Sequence, residues 1–196
     1  MALTVGTYGL KPIKALGDRP FTGGSIREIP LTAGSGTAVG VGDMITSASG
    51  VAAPVATIPT PGTANGNTPF GVCVGVRFND PVLKQPQFGQ YLPANTTGYT
   101  GIFVRVADDP DLLFQIRYEG TLTSAHVGRN VSWTYGAPNA TTGVSTSYAT
   151  GIATTNTLPF RVIDIVGSGT DSSGAAYTDI LVAYNNIHAY KLVLGL

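Results

Sequence analysis

Two histidines, one cysteine and a short run of carboxylates are the groups in this chain best suited to chemistry. His126 and His188 lie far apart, and neither has a cysteine or carboxylate at a spacing that would hold a metal. A Ser-His-Asp triad can be assembled from distant residues, but the Gly-x-Ser-x-Gly elbow that presents a nucleophilic serine is missing. His126, in Thr-Ser-Ala-His-Val, reads as a surface residue of a short helical turn, and His188 as an interface residue. Cys73 lies in the apolar run Val72-Cys73-Val74 and reads as a small core hydrophobe. As the only cysteine it excludes an internal disulfide and a multi-cysteine metal site. Asp108, Asp109 and Asp111 offer oxygen ligands to a hard cation. Asp-Asp-Pro-Asp is equally the composition of a turn, with Asp capping and Pro fixing φ, and the turn is the preferred reading. No phosphate-binding loop and no glycine-rich turn into a long helix is present. The expectation is a chain that is no enzyme, with no catalytic residues, no metal and no cofactor.

Binding chemistry is the remaining class. Asn95-Thr96-Thr97, Asn130-Val131-Ser132 and Asn139-Ala140-Thr141 match the glycan acceptor pattern, as chance matches do in a chain rich in Asn, Ser and Thr. Trp133, Tyr135, Tyr148 and Tyr99 lie near loops, where they line a sugar-binding face or complete an interface. A formal net charge of zero leaves no electrostatic footprint for nucleic acid or an anionic membrane. No apolar run approaches the length of a transmembrane helix. The opening MALTVGTYGLKPIKALGD lacks the basic-then-apolar layout of a signal peptide, which gives an expectation of assembly in a cytoplasm.

The elements that must carry these residues are short and extended. Charged residues make up 11% of 196, against about 25% in ordinary soluble domains. With 26 Gly and 13 Pro, much of the chain must be turn and loop. A polar, uncharged outer face suits a β surface, and suits packing against copies or partners, because hydroxyls and amides cost less to bury than charges. Residues 1–25 have no 2.0 or 3.6 period but hold Tyr8, Leu10, Ile13, Leu16 and Phe21, so they read as an extended N-terminal arm lying on another surface. Residues 26–196 read as a β-rich domain, either one body or two packed subdomains, about 26–100 and 101–196.

Within it, Ile26 to Leu31, Val39 to Ile45 and Val51 to Ile58 are candidate strands. In Phe70 to Phe78, Val72, Val74, Val76 and Phe78 share one face of a half-buried strand. Gly71 and Gly75 opposite them point to a bulge or a close backbone approach. Residues 59–69 and 79–101 read as loops. Residues 102–118 read as a hairpin turning at Asp108–Asp111, and Thr121 to Val127 as a helical turn or two closed by Gly128. Val131 to Tyr135 is a short strand, 139–156 has weak β character, and Leu158 to Val166 and Tyr177 to Tyr184 pair across 167–174. The whole is expected to be all-β: a sandwich or barrel of short antiparallel strands, with the arm and long loops added.

Several blocks carry a resemblance: Leu10-Lys11-Pro12-Ile13, Ile26 to Leu31, Gly36 to Val39, Gly42-Asp43-Met44-Ile45, Gly71 to Val76, Asp108 to Phe114, Val127 to Asn130 and Leu158 to Asp164. Together these diffuse blocks resemble virion structural proteins of tailed bacteriophages, in particular capsid decoration or cement proteins. The resemblance implies a β-rich homo-oligomer, often a trimer, on the outer surface of the expanded capsid. Its partner would be the major capsid protein, whose neighbouring copies it clamps. Interface candidates are Tyr8, Leu10, Lys11, Pro12, Ile13, Leu16 and Phe21 of the arm, with His188, Tyr190 and Leu192 near the C-terminus. The alternatives are a tail or head-fibre component and a carbohydrate-binding host-recognition module.

Overall fold

Alternating β-branched and aromatic residues make the regular structure of this chain almost wholly extended. The computed structural model describes residues 6–22, 25–32, 36–48, 51–55, 68–94, 96–170 and 174–191. Their strands are β1 (Lys11–Ala15), β2 (Arg19–Pro20), β3 (Ile26–Pro30), β4 (Val39–Gly40), β5 (Met44–Ala48), β6 (Val51–Pro54), β7 (Pro69–Asn79), β8 (Pro86–Gly89), β9 (Tyr91–Leu92), β10 (Thr100–Ala107), β11 (Leu112–Glu119), β12 (Asn130–Thr134), β13 (Tyr148–Ala153), β14 (Phe160–Thr170) and β15 (Ala176–Tyr184). The all-β sandwich or barrel expected from the sequence is what forms.

The second half closes on itself. Strands run β13-β12-β14-β15-β11, and β13 returns to β11 through a parallel pairing of Ala149 with Tyr118. Phe114, Ile116, Trp133, Phe160, Ile180 and Val182 fill this barrel and are fully buried. The Tyr184 ring lies 5.0 Å from Phe114 and 5.8 Å from Phe160. The first half forms a second sheet, β3-β10-β7-β5-β6, with β8 added to the far end of β7. Ile29, Val39, Ile45, Cys73, Val104 and Val106 form its own core. Met44, Val55, Val72 and Ala107 face the barrel's core instead.

β7 differs from its expected single apolar face for a local reason. Arg105 pairs with Gly75 and Val106 with Cys73, so Val74 is an extra residue in the ladder. A bulge resets the period-2 alternation. Val72 therefore joins the barrel-side core while Cys73 and Val76 share the other. Gly71 supplies the close approach, since a Cβ there would lie 2.1 Å from the Ala107 carbonyl oxygen.

Two expectations are corrected. The N-terminal segment is not an arm leaving the domain over its described residues: β1 pairs antiparallel with β11, and β2 folds back on β1. β13 meets the second edge of β11 only at Tyr118, and backbone groups at 112–115 need partners. Leu10 and Ala15 enter the barrel core, while Ile13 sits at a register shift and is exposed. Residues 102–118 are not a hairpin either. β10 spends both edges on β3 and β7, and β11 its edges on β15 and on β1 with β13, so the chain crosses between sheets at Asp108–Asp111. The helical turn is a single 3₁₀ turn, Ser124–His126. The loop at 79–101 contains β8 and β9, which pair with β7 and β4. Residues 56–67, the tip at 171–173 and the apolar tail from Leu192 lie outside the described residues.

Candidate functional site: buried polar clusters and exposed apolar surfaces

The carboxylate run is a turn that fastens both chain ends. Asp109 Oδ1 accepts from the Asp111 backbone N–H at 2.9 Å. Asp108 pairs with Arg27 at 3.1 Å and accepts from the Tyr190 hydroxyl at 3.1 Å. Lys191 donates to Asp111 at 2.7 Å and holds its carboxyl below the usual carboxylate range. Arg27 also lies over the Phe70 and Tyr190 rings. Asp108 and Asp111 are thus paired with cations from β3 and the 3₁₀ turn Ala189–Lys191. Among the described residues no group of His, Cys, Asp and Glu is arranged to hold a metal ion.

His188 is fully buried within its own chain, which corrects its reading as an interface residue. Its Nδ1 lies 3.3 Å from the Tyr190 backbone N–H, and its Nε2 lies 2.8 Å from the Phe70 carbonyl. That pair of partners selects the neutral tautomer with the proton on Nε2. Burial outweighs the Phe70 carbonyl and lowers its pKa to about 4. His126 Nδ1 accepts from Thr123 N–H at 3.0 Å and closes the 3₁₀ turn. Cys73 is buried, and desolvation pushes its thiol up to about 12. It is a core hydrophobe and not a nucleophile at neutral pH.

A second cluster, around a buried carboxyl, lies where the two halves meet. Val41 N–H donates to Gly143, Ser145 N–H to Val41, Leu10 N–H to Gly42 and Cys73 N–H to Asp43, all to carbonyls at 2.8–3.0 Å. Inside this seam Asp43 is fully buried, with Oδ2 accepting from Gly40 N–H at 2.8 Å. Desolvation raises its pKa to about 6 against the opposing pull of Ser145 and Gly40. A third cluster centres on buried Arg117. Its Nε is 3.3 Å from Asp179, its Nη1 donates to the Gly6 carbonyl at 3.1 Å, and it lies 3.9 Å from the centre of the Tyr177 ring. The Tyr8 ring centre lies 5.6 Å from the same guanidinium, and burial followed by the Asp179 charge raises that phenol well above its ordinary range.

The aromatic set does not form an open platform. Trp133 is fully buried, Tyr135 and Tyr148 are half-buried, and Tyr99 packs on Phe78 at 5.2 Å. Asn130 is buried with its amide donating to Thr155, and Asn139 caps its own loop by accepting from Thr141 N–H. Asn95 lies outside the described residues.

The interface candidates separate into three groups. Leu10 and His188 are internal; Tyr8, Pro12 and Phe21 are half-buried; Lys11, Ile13, Leu16 and Tyr190 are exposed. Leu192 lies outside the described residues. Leu10 goes inside because its N–H donates to the Gly42 carbonyl and draws this stretch into the seam.

Two exposed surfaces escape sequence reading. Asp80 Oδ1 accepts from Val82 N–H at 2.7 Å and Leu83 N–H at 2.8 Å, fixing the β7–β8 turn. This presents Val82, Leu83 and Phe88 to water with exposures of 83%, 60% and 70%. Asp80-Pro81 followed by two large apolar residues was the available signal. The second is the outer part of the β14–β15 ribbon, paired out to Thr170 and Ala176 and carrying exposed Val166. Near the first surface an apolar groove of about 410 Å³ opens between Tyr8, Leu10, Pro12, Val41, Gln90 and Val144. No protein-family model, curated protein or solved structure matches this chain.

Proposed function

We propose that this chain is a structural protein of a tailed-phage virion, a decoration protein that binds the outer capsid surface and clamps neighbouring major capsid proteins as part of a homo-oligomer. One observation carries the reading: a surface with few charges bears large apolar side chains, on strands at Ile13, Phe88 and Val166 and on turns at Leu16, Val82 and Leu83. Apolar surface held out by ordered backbone is what an interaction surface requires. A clamp of this kind works by interface area repeated over many equivalent sites, so modest contacts sum to a large effect. The carboxylates Asp108 and Asp111 are paired within the chain, which suits a role in holding shape. The test is co-sedimentation of the purified protein with expanded, empty capsids of a phage that encodes it. Saturable binding to a fixed number of sites supports the reading, and absence of binding to expanded capsids contradicts it.

A further inference from the structure

The 3₁₀ turn Ala189–Lys191 is held to the body of the protein through a buried imidazole. β15 ends at Tyr184, and the turn lies against β7. Between them His188 is fully buried, with its ring 5.2 Å from that of Tyr184 and 5.1 Å from that of Tyr190. Tyr190 in turn meets Phe70 of β7 edge-on at 5.9 Å. Nε2 of His188 donates to the Phe70 carbonyl, Nδ1 accepts the Tyr190 N–H, and the His188 carbonyl accepts the Lys191 N–H at 2.9 Å. Both ring nitrogens are therefore engaged, and the bond to Tyr190 exists only while Nδ1 carries no proton. A proton on Nδ1 sets N–H against N–H and leaves a charge away from water. We propose that Ala189–Lys191 is an acid-opened clasp: protonation of His188 releases the turn from β7 and uncovers the Phe70 carbonyl and the Tyr184 ring, while the barrel stays folded.

The charges around the ring do not offset its burial. Asp108 and Asp109 of the crossover attract an imidazolium, and Lys191 on the turn itself repels it. Asp108 is already engaged by Arg27 of β3 and by the Tyr190 hydroxyl, and Asp111 by Lys191. β7 faces the ring with the Phe70 carbonyl and β15 with the Tyr184 phenol, which burial keeps neutral. His188 has an ordinary pKa of 6.5 and a buried value of about 4. The open clasp therefore binds the extra proton, and opening grows as pH falls below 6.5. The open fraction should rise about thirtyfold from pH 7.5 to pH 5. Asp111, held below the usual carboxylate range by Lys191, stays ionised across that window. Global unfolding responds differently. It also exposes Asp43, whose folded pKa of about 6 lies above its ordinary 3.8 and whose partners, Gly40 and Ser145, are not on the turn. Asp43 favours the folded chain about tenfold as pH falls over the same range, so global unfolding rises only about threefold.

The clasp stands whatever the chain binds, and its test needs no partner. Residue-resolved hydrogen exchange by NMR is measured on the full chain from pH 7.5 to pH 5, with each rate corrected for the intrinsic pH dependence of amide exchange. The amides of Tyr190 and Lys191 report the clasp, and those of Phe114 and Ile180 report the barrel. The expected result is an opening constant that rises about thirtyfold at Tyr190 and Lys191 and about threefold or less in the barrel. His188→Gln keeps a donor for the Phe70 carbonyl but cannot ionise, so its clasp amides should lose the pH dependence. Clasp opening that is flat with pH in the wild type, that rises equally in clasp and barrel, or that keeps its pH dependence in His188→Gln overturns the inference. If His188→Gln does not fold, the wild-type contrast between clasp and barrel decides alone.

Discussion

Replacing Asp43 by Asn should expose a pH dependence of stability that the wild type conceals. Asp43 and His188 titrate in the same window with opposite sign. Asp43 has an ordinary pKa of 3.8 and a folded value of about 6. Between these limits the folded state holds the proton more tightly, so stability falls as pH rises from about 4 to 6. The gap corresponds to about 3 kcal/mol. His188 has an ordinary pKa of 6.5 and a folded value of about 4. Here the unfolded state binds the extra proton, so stability rises with pH across about 4 to 6.5, again by about 3 kcal/mol. In the wild type the two nearly cancel. Asn at 43 keeps an acceptor for the Gly40 N–H but cannot ionise. Urea unfolding of Asp43→Asn should therefore show stability climbing by about 3 kcal/mol between pH 4 and 6.5 relative to the wild-type profile. His188→Gln should show the mirror image, declining from pH 4 to 6. Asp111, held low by Lys191, is common to all three proteins and drops out of the comparison. An Asp43→Asn profile parallel to the wild type would refute the reasoning for the buried seam.

Other outcomes follow from single contacts. Arg117→Met should lower stability by roughly 3 kcal/mol in chemical denaturation, because Asp179 loses its buried cation, and adding Asp179→Asn should recover part of that loss. Gly71→Ala should cost roughly 3 kcal/mol by forcing β7 from the Ala107 carbonyl, whereas Gly17→Ala, with φ +77 and open space around it, should cost about 1 kcal/mol. Tyr190→Phe should cost about 1 kcal/mol through the lost hydrogen bond to Asp108, measured by the same unfolding assay. Val166→Asp should leave the melting temperature within a few degrees, because this side chain is exposed on β14, while weakening capsid binding.

Which residues are extended was legible; which strands pair was less so. The alternation in Leu112 to Tyr118 and the two runs flanking 167–174 marked β11, β14 and β15 directly, and β14 does pair with β15. Period-2 alternation says nothing about the neighbour across the ladder, which is why 102–118 read as a hairpin although its strands serve different sheets. The first twenty-five residues lack any period, since Pro12, Gly17 and the shift at Ile13 break it. For Lys11–Ala15 the constraint is the open edge of β11, a property of the folded barrel and not of the local sequence. The glycines around Val74 did announce a bulge, but not its effect of turning Val72 and Val76 to opposite faces. The turn reading of Asp108–Asp111 was correct, and its ties to Arg27, Tyr190 and Lys191 span eighty positions or more. The exposed pair Val82 and Leu83 was hidden because it lies in a segment that composition marks as loop, and exposure depends on the Asp80 turn that holds both residues out.

We propose that this chain acts by being bound onto an assembled shell. The most direct measurement is cryo-electron microscopy of particles of a phage that encodes it, compared with particles from a mutant lacking it. The account predicts symmetric density on the outer capsid surface, of the size of this β-barrel and its sheet, bridging adjacent capsid subunits and missing from the mutant. Identical capsid density in both particles would contradict it.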